Sequence, residues 1–209
     1  MIQIDHCISK SLLGGITVSV CGFLFLSCSN IIFATLLSAA VLLSINVFDF
    51  NLFVDKCGFI SDTGDVRRLV LVLFLNLFTV FLFGLLFGYF VPSISSAADE
   101  IVTARLNTPI TALIIKSIIA GFLIMLSISL LKSESRNNII LSLLCISGFI
   151  YSGCTHCILD TFYYSACNML YDNFWRIALN TVLAVLFNFI GGVLYSLLVN
   201  KSIIHSSIK

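Results

Sequence analysis

A histidine within an apolar segment is the residue of this chain best suited to chemistry. His156 closes the stretch Ser152-Gly153-Cys154-Thr155-His156, in the middle of the segment Ile139–Ala166. Histidine titrates near neutral pH and can donate or accept a proton. An ionisable group at membrane depth is a functional candidate by default. The alternative is a neutral histidine that only hydrogen-bonds between helices.

Two lysines begin apolar segments with similar local sequences. Lys10-Ser11-Leu12-Leu13-Gly14-Gly15 recurs as Lys116-Ser117-Ile118-Ile119-Ala120-Gly121. Cations near the mouths of a pathway raise the local concentration of anions. Long lysine side chains also extend from membrane helices to the aqueous interface without any such role. Both interpretations stay open for Lys10 and Lys116.

The cysteines on either side of the histidine, Cys154 and Cys157, suggest redox chemistry. A redox motif needs accessible thiols with a lowered pKa, whereas cysteines in an apolar segment behave as small hydrophobes. A metal site is not expected, because His156 and two cysteines lack a fourth ligand at zinc-like spacing. We expect no cofactor and no enzyme; a membrane thiol oxidoreductase using these cysteines is the alternative.

The composition points to a membrane protein. Hydrophobic residues make up 59% of the 209 residues and charged residues only 10%, with a mean hydropathy of +1.12. Soluble domains carry about 25% charged residues. The net charge of +1 provides no basic surface for nucleic acid. We therefore expect an all-α membrane protein with one transmembrane domain over residues 1–209 and the lipid bilayer as its surroundings.

Six segments are long and apolar enough for a bilayer, which needs about 20 residues per helix. They are Leu12–Cys28, Ile31–Phe48, Leu69–Val91, Ile110–Leu131, Ile139–Ala166 and Trp175–Val199. The amphipathic segment Ser93–Asn107 is expected to be a surface helix or loop.

The distribution of positive charge predicts the orientation of the chain. A cytoplasmic N-terminus places eight lysines and arginines on the inner side and two, Arg105 and Arg176, on the outer side. The inner residues are Lys10, Lys56, Arg67, Arg68, Lys132, Arg136, Lys201 and Lys209. Because positive loops stay in the cytoplasm, both termini are predicted to be cytoplasmic.

The sequence also predicts an internal repeat of three spans, over about residues 8–92 and 109–200. Besides the lysine motif, Leu75-Asn76-Leu77-Phe78 matches Phe187-Asn188-Phe189-Ile190. Three spans per copy make the second copy inverted, as in many transport proteins. The second and fifth spans are expected to be broken, at Asp49–Asp55 and near Gly153. Asn76 and Asn188 are predicted to be structural residues that join helices.

The second half contains motifs that resemble the formate/nitrite transporter family. Gly148-Phe149-Ile150-Tyr151-Ser152-Gly153-Cys154-Thr155-His156 is similar to the family's fifth span, which carries Ser-Gly-Phe-Glu-His before a break. Asn180 and Phe187-Asn188-Phe189-Ile190-Gly191-Gly192 are similar to its sixth span. The resemblance implies an aquaporin-like fold and a homopentamer in which each subunit has a pore for small monovalent anions.

The resemblance also implies roles for individual residues. His156 matches the central pore histidine, and Lys116 and its repeat partner Lys10 match the vestibule cations. Phe149 matches one constriction, and Leu52 and Phe53 match the other. Four positions depart from the family pattern: Val54 replaces the loop threonine, Asp55 the glycine, Thr155 the glutamate and Asp160 an asparagine.

Together these features predict transport of a small monovalent anion or its conjugate weak acid, of the formate, nitrite or hydrosulfide class. Transport is expected to occur across the plasma membrane and to be coupled to protons through His156. The alternative within the same architecture is a channel for a neutral solute, in which Lys10 and Lys116 only reach the interface.

Overall fold

A computed structural model of the chain describes residues 2–59, 63–132 and 135–206, and its regular structure there is helical. Four helices have the length and apolar composition needed to cross a membrane: Asp5–Ser27, Thr63–Phe90, Ile110–Lys132 and Phe174–Val199. These four coincide with the first, third, fourth and sixth predicted segments. Lys209, which was counted in the predicted orientation, lies outside the described residues.

The helices follow one another in an order that the next sections use. They are α1 (Ile2–Ser27), α2 (Ile31–Val47), α3 (Phe53–Lys56), α4 (Thr63–Phe90), α5 (Pro92–Leu106), α6 (Ile110–Lys132), α7 (Arg136–Tyr151), α8 (Cys157–Ala166) and α9 (Phe174–Ser206). A single 3-10 turn, Cys57–Phe59, extends α3.

The second and fifth predicted segments are each interrupted. Helix α2 has 17 residues and ends at Val47, and the chain then forms a loop before α3 begins at Phe53. Helix α7 has 16 residues and ends at Tyr151, and α8 begins at Cys157 after a non-helical stretch. Each piece is shorter than the roughly 20 residues of a bilayer-spanning helix. The backbone groups in the two breaks therefore need partners from neighbouring helices.

The two halves of the chain pack in corresponding ways. Helix α1 packs against α2 and α4, and α6 packs against α7 and α9. The short helix α8 packs on α4 of the other half, while the turn after α3 packs on α9. Helices α2 and α7 contact each other. Each half thus supports the interrupted segment of the other half.

Two glycines allow α6 and α9 to come unusually close. A Cβ atom added at Gly121 would lie 2.1 Å from the carbonyl oxygen of Asn188. One added at Gly191 would lie 2.1 Å from the carbonyl oxygen of Ile118. Small residues permit this backbone approach in membrane helices. It brings the Asn188 side chain within reach of the second break.

Helix α5 is more buried than the expected surface segment. Pro92 stands at its first turn, where the missing N–H of proline has no cost. Ile94, Ala98 and Val102 are fully buried along one face, which packs against α4 and α8. Arg105 of this helix, which the sequence analysis placed in a surface helix or loop on the outer side, is also largely buried, with a side chain that is 13% exposed.

Large apolar side chains cover the outer faces of the long helices. Phe74 of α4 and Val182 of α9 are both 64% exposed, whereas Asn76 and Asn188 on the same helices are fully buried. This pattern is the reverse of the one in soluble domains, where polar groups face outward. An apolar exterior with polar groups inside suits a lipid environment.

Candidate functional site

The break between α7 and α8 depends on a glycine. Gly153 has φ of +62°, in the left-handed region that residues with a Cβ atom rarely adopt. Its N–H donates to the carbonyl oxygen of Ile150 at 3.0 Å, and the N–H of Cys154 donates to that of Phe149 at 3.0 Å. These bonds end α7 and turn the chain towards His156.

His156 begins α8 and caps it. The backbone N–H of Leu159 donates to its Nδ1 at 3.1 Å. The proton of the neutral ring therefore sits on Nε2, which is buried and has no hydrogen-bond partner among the described residues. The Phe149 ring stacks on the imidazole, with centroids 5.7 Å apart and planes inclined by 19°. His156 thus holds one donor for a molecule other than the protein.

A cavity of about 330 Å³ lies against the phenylalanine that stacks on this histidine. Phe149, Gly153, Lys116 and Arg105 are among its lining residues. No described carboxylate lies within 4.0 Å of the Lys116 ammonium group. The cavity is therefore lined both by Lys116, whose charge no described carboxylate compensates, and by the Phe149 ring that covers His156.

Arg105 enters this region from α5 and binds the second break. Its Nη1 donates to the carbonyl oxygen of Gly153, and its Nη2 donates to that of Cys154 at 3.1 Å. Nη2 also lies 3.2 Å from Oδ1 of Asp160, whose side chain is only 2% exposed. The arginine thus ties α5 to both ends of the break.

Two asparagines hold the two breaks through matching hydrogen bonds. Oδ1 of Asn188 accepts from the N–H of Cys157 at 2.8 Å. Its Nδ2 donates to the carbonyl oxygens of Ser117 at 2.8 Å and Thr155 at 2.9 Å. These bonds satisfy backbone groups that the interrupted helix leaves free.

Asn76 makes the same set of bonds in the first half. Its Oδ1 accepts from the N–H of Phe53 at 2.9 Å. Its Nδ2 donates to the carbonyl oxygens of Ser11 at 2.8 Å and Asn51 at 3.1 Å. Ser11 follows Lys10 as Ser117 follows Lys116, so the correspondence extends to the predicted vestibule lysines. Leu52 occupies the position in the first break that His156 occupies in the second.

The other predicted residues of the first break are also buried. Leu52, Phe53 and Val54 all lie in the core. Lys10 forms an ion pair with Asp49, and Lys56 lies 3.5 Å from the same carboxylate. Unlike Lys116, Lys10 therefore has a carboxylate partner, which it shares with Lys56.

The cysteines beside the histidine are free thiols in the interior. Cys154 and Cys157 are both buried, and Cys154 lies 3.2 Å from the hydroxyl of Ser152. Within the described ranges, no group of three or more His, Cys, Asp or Glu residues could hold a metal ion.

A match between the sequence and a family model shows which proteins the chain is related to. The model of the formate/nitrite transporter family matches residues 1–201. The chain belongs to this family. Among curated proteins, none matches the sequence.

Solved structures of this transporter family have the same fold. One, described as "Pentameric formate channel with formate bound", has a TM-score of 0.76 at 16% identity and covers 98% of each chain. Another, described as "FNT family ion channel", has a TM-score of 0.73 at 19% identity. It covers 90% of this chain and 86% of that chain.

Within this family fold, the structure brings together only some of the predicted site residues. Lys116, Phe149 and Gly153 line one cavity with His156 behind the phenylalanine. Lys10 lies at the other break. The sequence analysis missed Arg105 as a site residue. Asp160 could have indicated such a residue, because an acidic residue inside an apolar segment needs a cationic partner.

Proposed function

We propose that the chain is a channel for a small monovalent anion or its conjugate weak acid, of the formate, nitrite or hydrosulfide class. One observation carries this proposal. The Nε2 atom of His156 is buried without a partner among the described residues, beneath the Phe149 ring. That ring lines a cavity containing Lys116, whose charge no described carboxylate compensates. A cation that attracts an anion thus lines the same cavity as the Phe149 ring, and that ring covers a donor that can bind the anion.

The proposed architecture has six crossings, formed by two inverted repeats of three. The matched hydrogen bonds of Asn76 and Asn188 support the repeat, as does the corresponding packing of the two halves. The apolar helices α2 and α7 would complete the second and fifth crossings with α3 and α8. In this proposal the protein lies in the plasma membrane with both termini in the cytoplasm, as the positive charges of its loops favour.

The proposed assembly is a homopentamer with one pore in each subunit. One similar structure is a pentameric channel with formate bound, and its fold aligns over 98% of this chain. The exposed apolar side chains of α4 and α9 would then face either lipid or a neighbouring subunit. The molecular mass of the protein in detergent would test this assembly.

The proposed mechanism moves the solute past apolar residues in neutral form. Carrying a bare charge into low dielectric costs several kcal/mol even after relaxation. Protonating a carboxylate with a pKa near 4 at pH 7 costs about 4 kcal/mol. Because the two costs are comparable, proton uptake by a weak acid competes with passage of the bare anion. Lys116 would draw the anion into the cavity, and the proton would come from water or through His156.

The apolar residues along this route form the proposed constrictions. Phe149 would separate the Lys116 cavity from His156, and Leu52 and Phe53 would form the second constriction at the other break. A polar residue at the position of Val54 would offer a hydrogen bond, but valine offers none. His156 would then be the main polar group between the two constrictions. The substrate would therefore be recognised chiefly by charge at the mouth and by one donor inside.

Flux into proteoliposomes tests this function. Formate, nitrite, hydrosulfide and chloride are compared across a pH series for the wild-type protein, His156→Ala and the control His6→Ala, since His6 is exposed at the start of α1. We expect weak-acid flux to rise as pH falls in the wild-type protein and in His6→Ala. Only His156→Ala should show a changed pH dependence. An unchanged pH dependence in that variant would remove the proton role of the histidine.

The same measurement distinguishes the alternative functions. Flux of a neutral solute such as glycerol, without flux of any of the four anions, would favour the neutral-solute channel. A thiol oxidoreductase would lose its activity when Cys154 and Cys157 are replaced by serine. Both thiols are buried, so we expect this double replacement to leave anion flux intact.

A further inference from the structure

We propose that Arg105 is a specificity-determining residue that makes the Lys116 cavity attractive to anions by covering the negative groups of the second break. The inference rests on the proposed function and concerns the same cavity. It assigns a role to an arginine of α5, a helix that neither repeat contains. Asp160 is the second member of the pair and sets how much positive charge remains.

The arginine contacts three groups of negative or partly negative charge. They are the carbonyl oxygens of Gly153 and Cys154 and the carboxylate of Asp160. The arginine side chain is 13% exposed, so it is shielded from bulk solvent yet lines the cavity. A guanidinium has five N–H donors, of which three are used in these bonds.

Without the arginine, the cavity would lose most of its attraction for an anion. The two carbonyls follow the C-terminal end of α7, where the helix dipole is negative. The Asp160 carboxylate is almost fully buried, so little water screens it. With Arg105 in place, two cations and one carboxylate leave the cavity positive. Removing the arginine alone would leave Lys116 balanced by Asp160.

Variants that change this charge balance distinguish an electrostatic role of Arg105 from a merely structural one. Arg105→Gln removes the compensating charge, while the double variant Arg105→Gln/Asp160→Asn restores the wild-type net charge without the ion pair. Asp160→Asn alone adds one positive charge. Arg176→Gln is the matched control, because Arg176 also donates to a backbone carbonyl, that of Leu106 at 2.7 Å, but does not line the cavity.

The experiment measures the half-saturating concentration of formate and of nitrite for flux into proteoliposomes. We expect Arg105→Gln to raise it by about tenfold or more, in line with the effect of local charge on ion concentration. The double variant should return to within about threefold of wild type. The effect of Arg105→Gln should shrink at high ionic strength, because salt screens charge. The control variant should match wild type.

A second readout separates this inference from the proposed function. Formate, nitrite and chloride are added to the purified protein, and the shift in thermal unfolding temperature is measured for the same variants. An anion-dependent shift that Arg105→Gln abolishes, in a protein that carries no anion flux, would support the cavity role and overturn the channel. Flux in wild type that Arg105→Gln leaves unchanged would overturn the cavity role and keep the channel. If anions neither move nor stabilise the protein, both are overturned.

The double variant also covers the case in which Arg105→Gln does not fold. Leaving Asp160 buried without its partner is strongly destabilising, whereas the double variant buries no charge at this position. A half-saturating concentration near that of wild type for the double variant, together with a lower one for Asp160→Asn, would support the inference. If the double variant folds but is as impaired as removal of Lys116 in Lys116→Gln, the arginine acts through structure alone and the proposal is wrong.

Discussion

At the scale of single residues, the cap that His156 provides and the proton role proposed for it compete for its ring nitrogens. Nδ1 accepts the N–H of Leu159 and caps α8, so an imidazolium, which has a proton on both nitrogens, would lose this cap. Nε2 is free of protein partners among the described residues. The geometry therefore favours a neutral histidine that donates one hydrogen bond through Nε2.

Replacing His156 by asparagine separates the two roles. Asparagine is among the best N-cap residues, so His156→Asn should retain the cap while losing the Nε2 donor. We expect its thermal stability to stay close to wild type, whereas His156→Ala should lose about 0.5–2 kcal/mol through the missing cap. Both variants should lose weak-acid flux. Unfolding in detergent and proteoliposome flux measure the two effects, and full flux in His156→Asn would contradict the role of Nε2.

The sequence pointed to His156 as a candidate but not to Arg105, for a physical reason. A histidine in an apolar segment is unusual wherever its neighbours lie. An arginine in a short amphipathic segment is ordinary, and its burial depends on how α5 packs against the rest of the molecule. The ion pair joins residues 55 positions apart, so no local pattern reveals it.

At the scale of secondary-structure elements, the asparagines do more than join helices. The sequence identified Asn76 and Asn188 as matching polar residues in the third and sixth segments. The structure shows that each bonds one N–H and one carbonyl of an interrupted segment. The breaks themselves were predictable from Gly153 and from the polar residues after Val47. The partners of the freed backbone were not, because they come from distant helices.

Asn188→Ala tests how much the second break depends on its asparagine. The change leaves the N–H of Cys157 and the carbonyl of Thr155 without their partner. Each unsatisfied buried group costs about 1–3 kcal/mol, so we expect a loss of about 3 kcal/mol or more. Asn107→Ala, at the exposed end of α5, should change stability by less than about 0.5 kcal/mol.

Thermal or denaturant unfolding in detergent measures both variants. Asn76→Ala should resemble Asn188→Ala, because Asn76 makes the same three kinds of bond in the first half. Equal stability of Asn188→Ala and Asn107→Ala would mean that the second break is held by packing alone.

At the scale of the whole molecule, hydropathy predicted the four long helices and their chain order. Helices of this length can be predicted from their own sequence, because every backbone hydrogen bond is satisfied within the segment. The start of α1 at Ile2 rather than Leu12 was not predicted. The polar residues Asp5, His6 and Lys10 interrupt its hydropathy but not its backbone bonding, so the helix extends beyond the apolar segment.

The two halves also differ in charge, although their asparagines make matching hydrogen bonds. Lys10 pairs with Asp49, whereas Lys116 has no described carboxylate within 4.0 Å. Asp49 lies in the break between α2 and α3 and pairs with Lys10 and Lys56, so Lys10 has a counter-charge that Lys116 lacks among the described residues.

This asymmetry predicts unequal effects of removing the two lysines. Lys116→Gln should reduce anion flux by about tenfold or more, because it removes the uncompensated charge. Lys10→Gln should reduce it by less than about threefold, since an exposed ion pair contributes little net field or stability. Asp49→Asn, which keeps a residue tolerant of the positive φ at this position, should release Lys10 and raise flux. Initial rates in proteoliposomes at low salt measure all three. Equal losses in the two lysine variants would show that the compensation by Asp49 has no influence on the permeating anion.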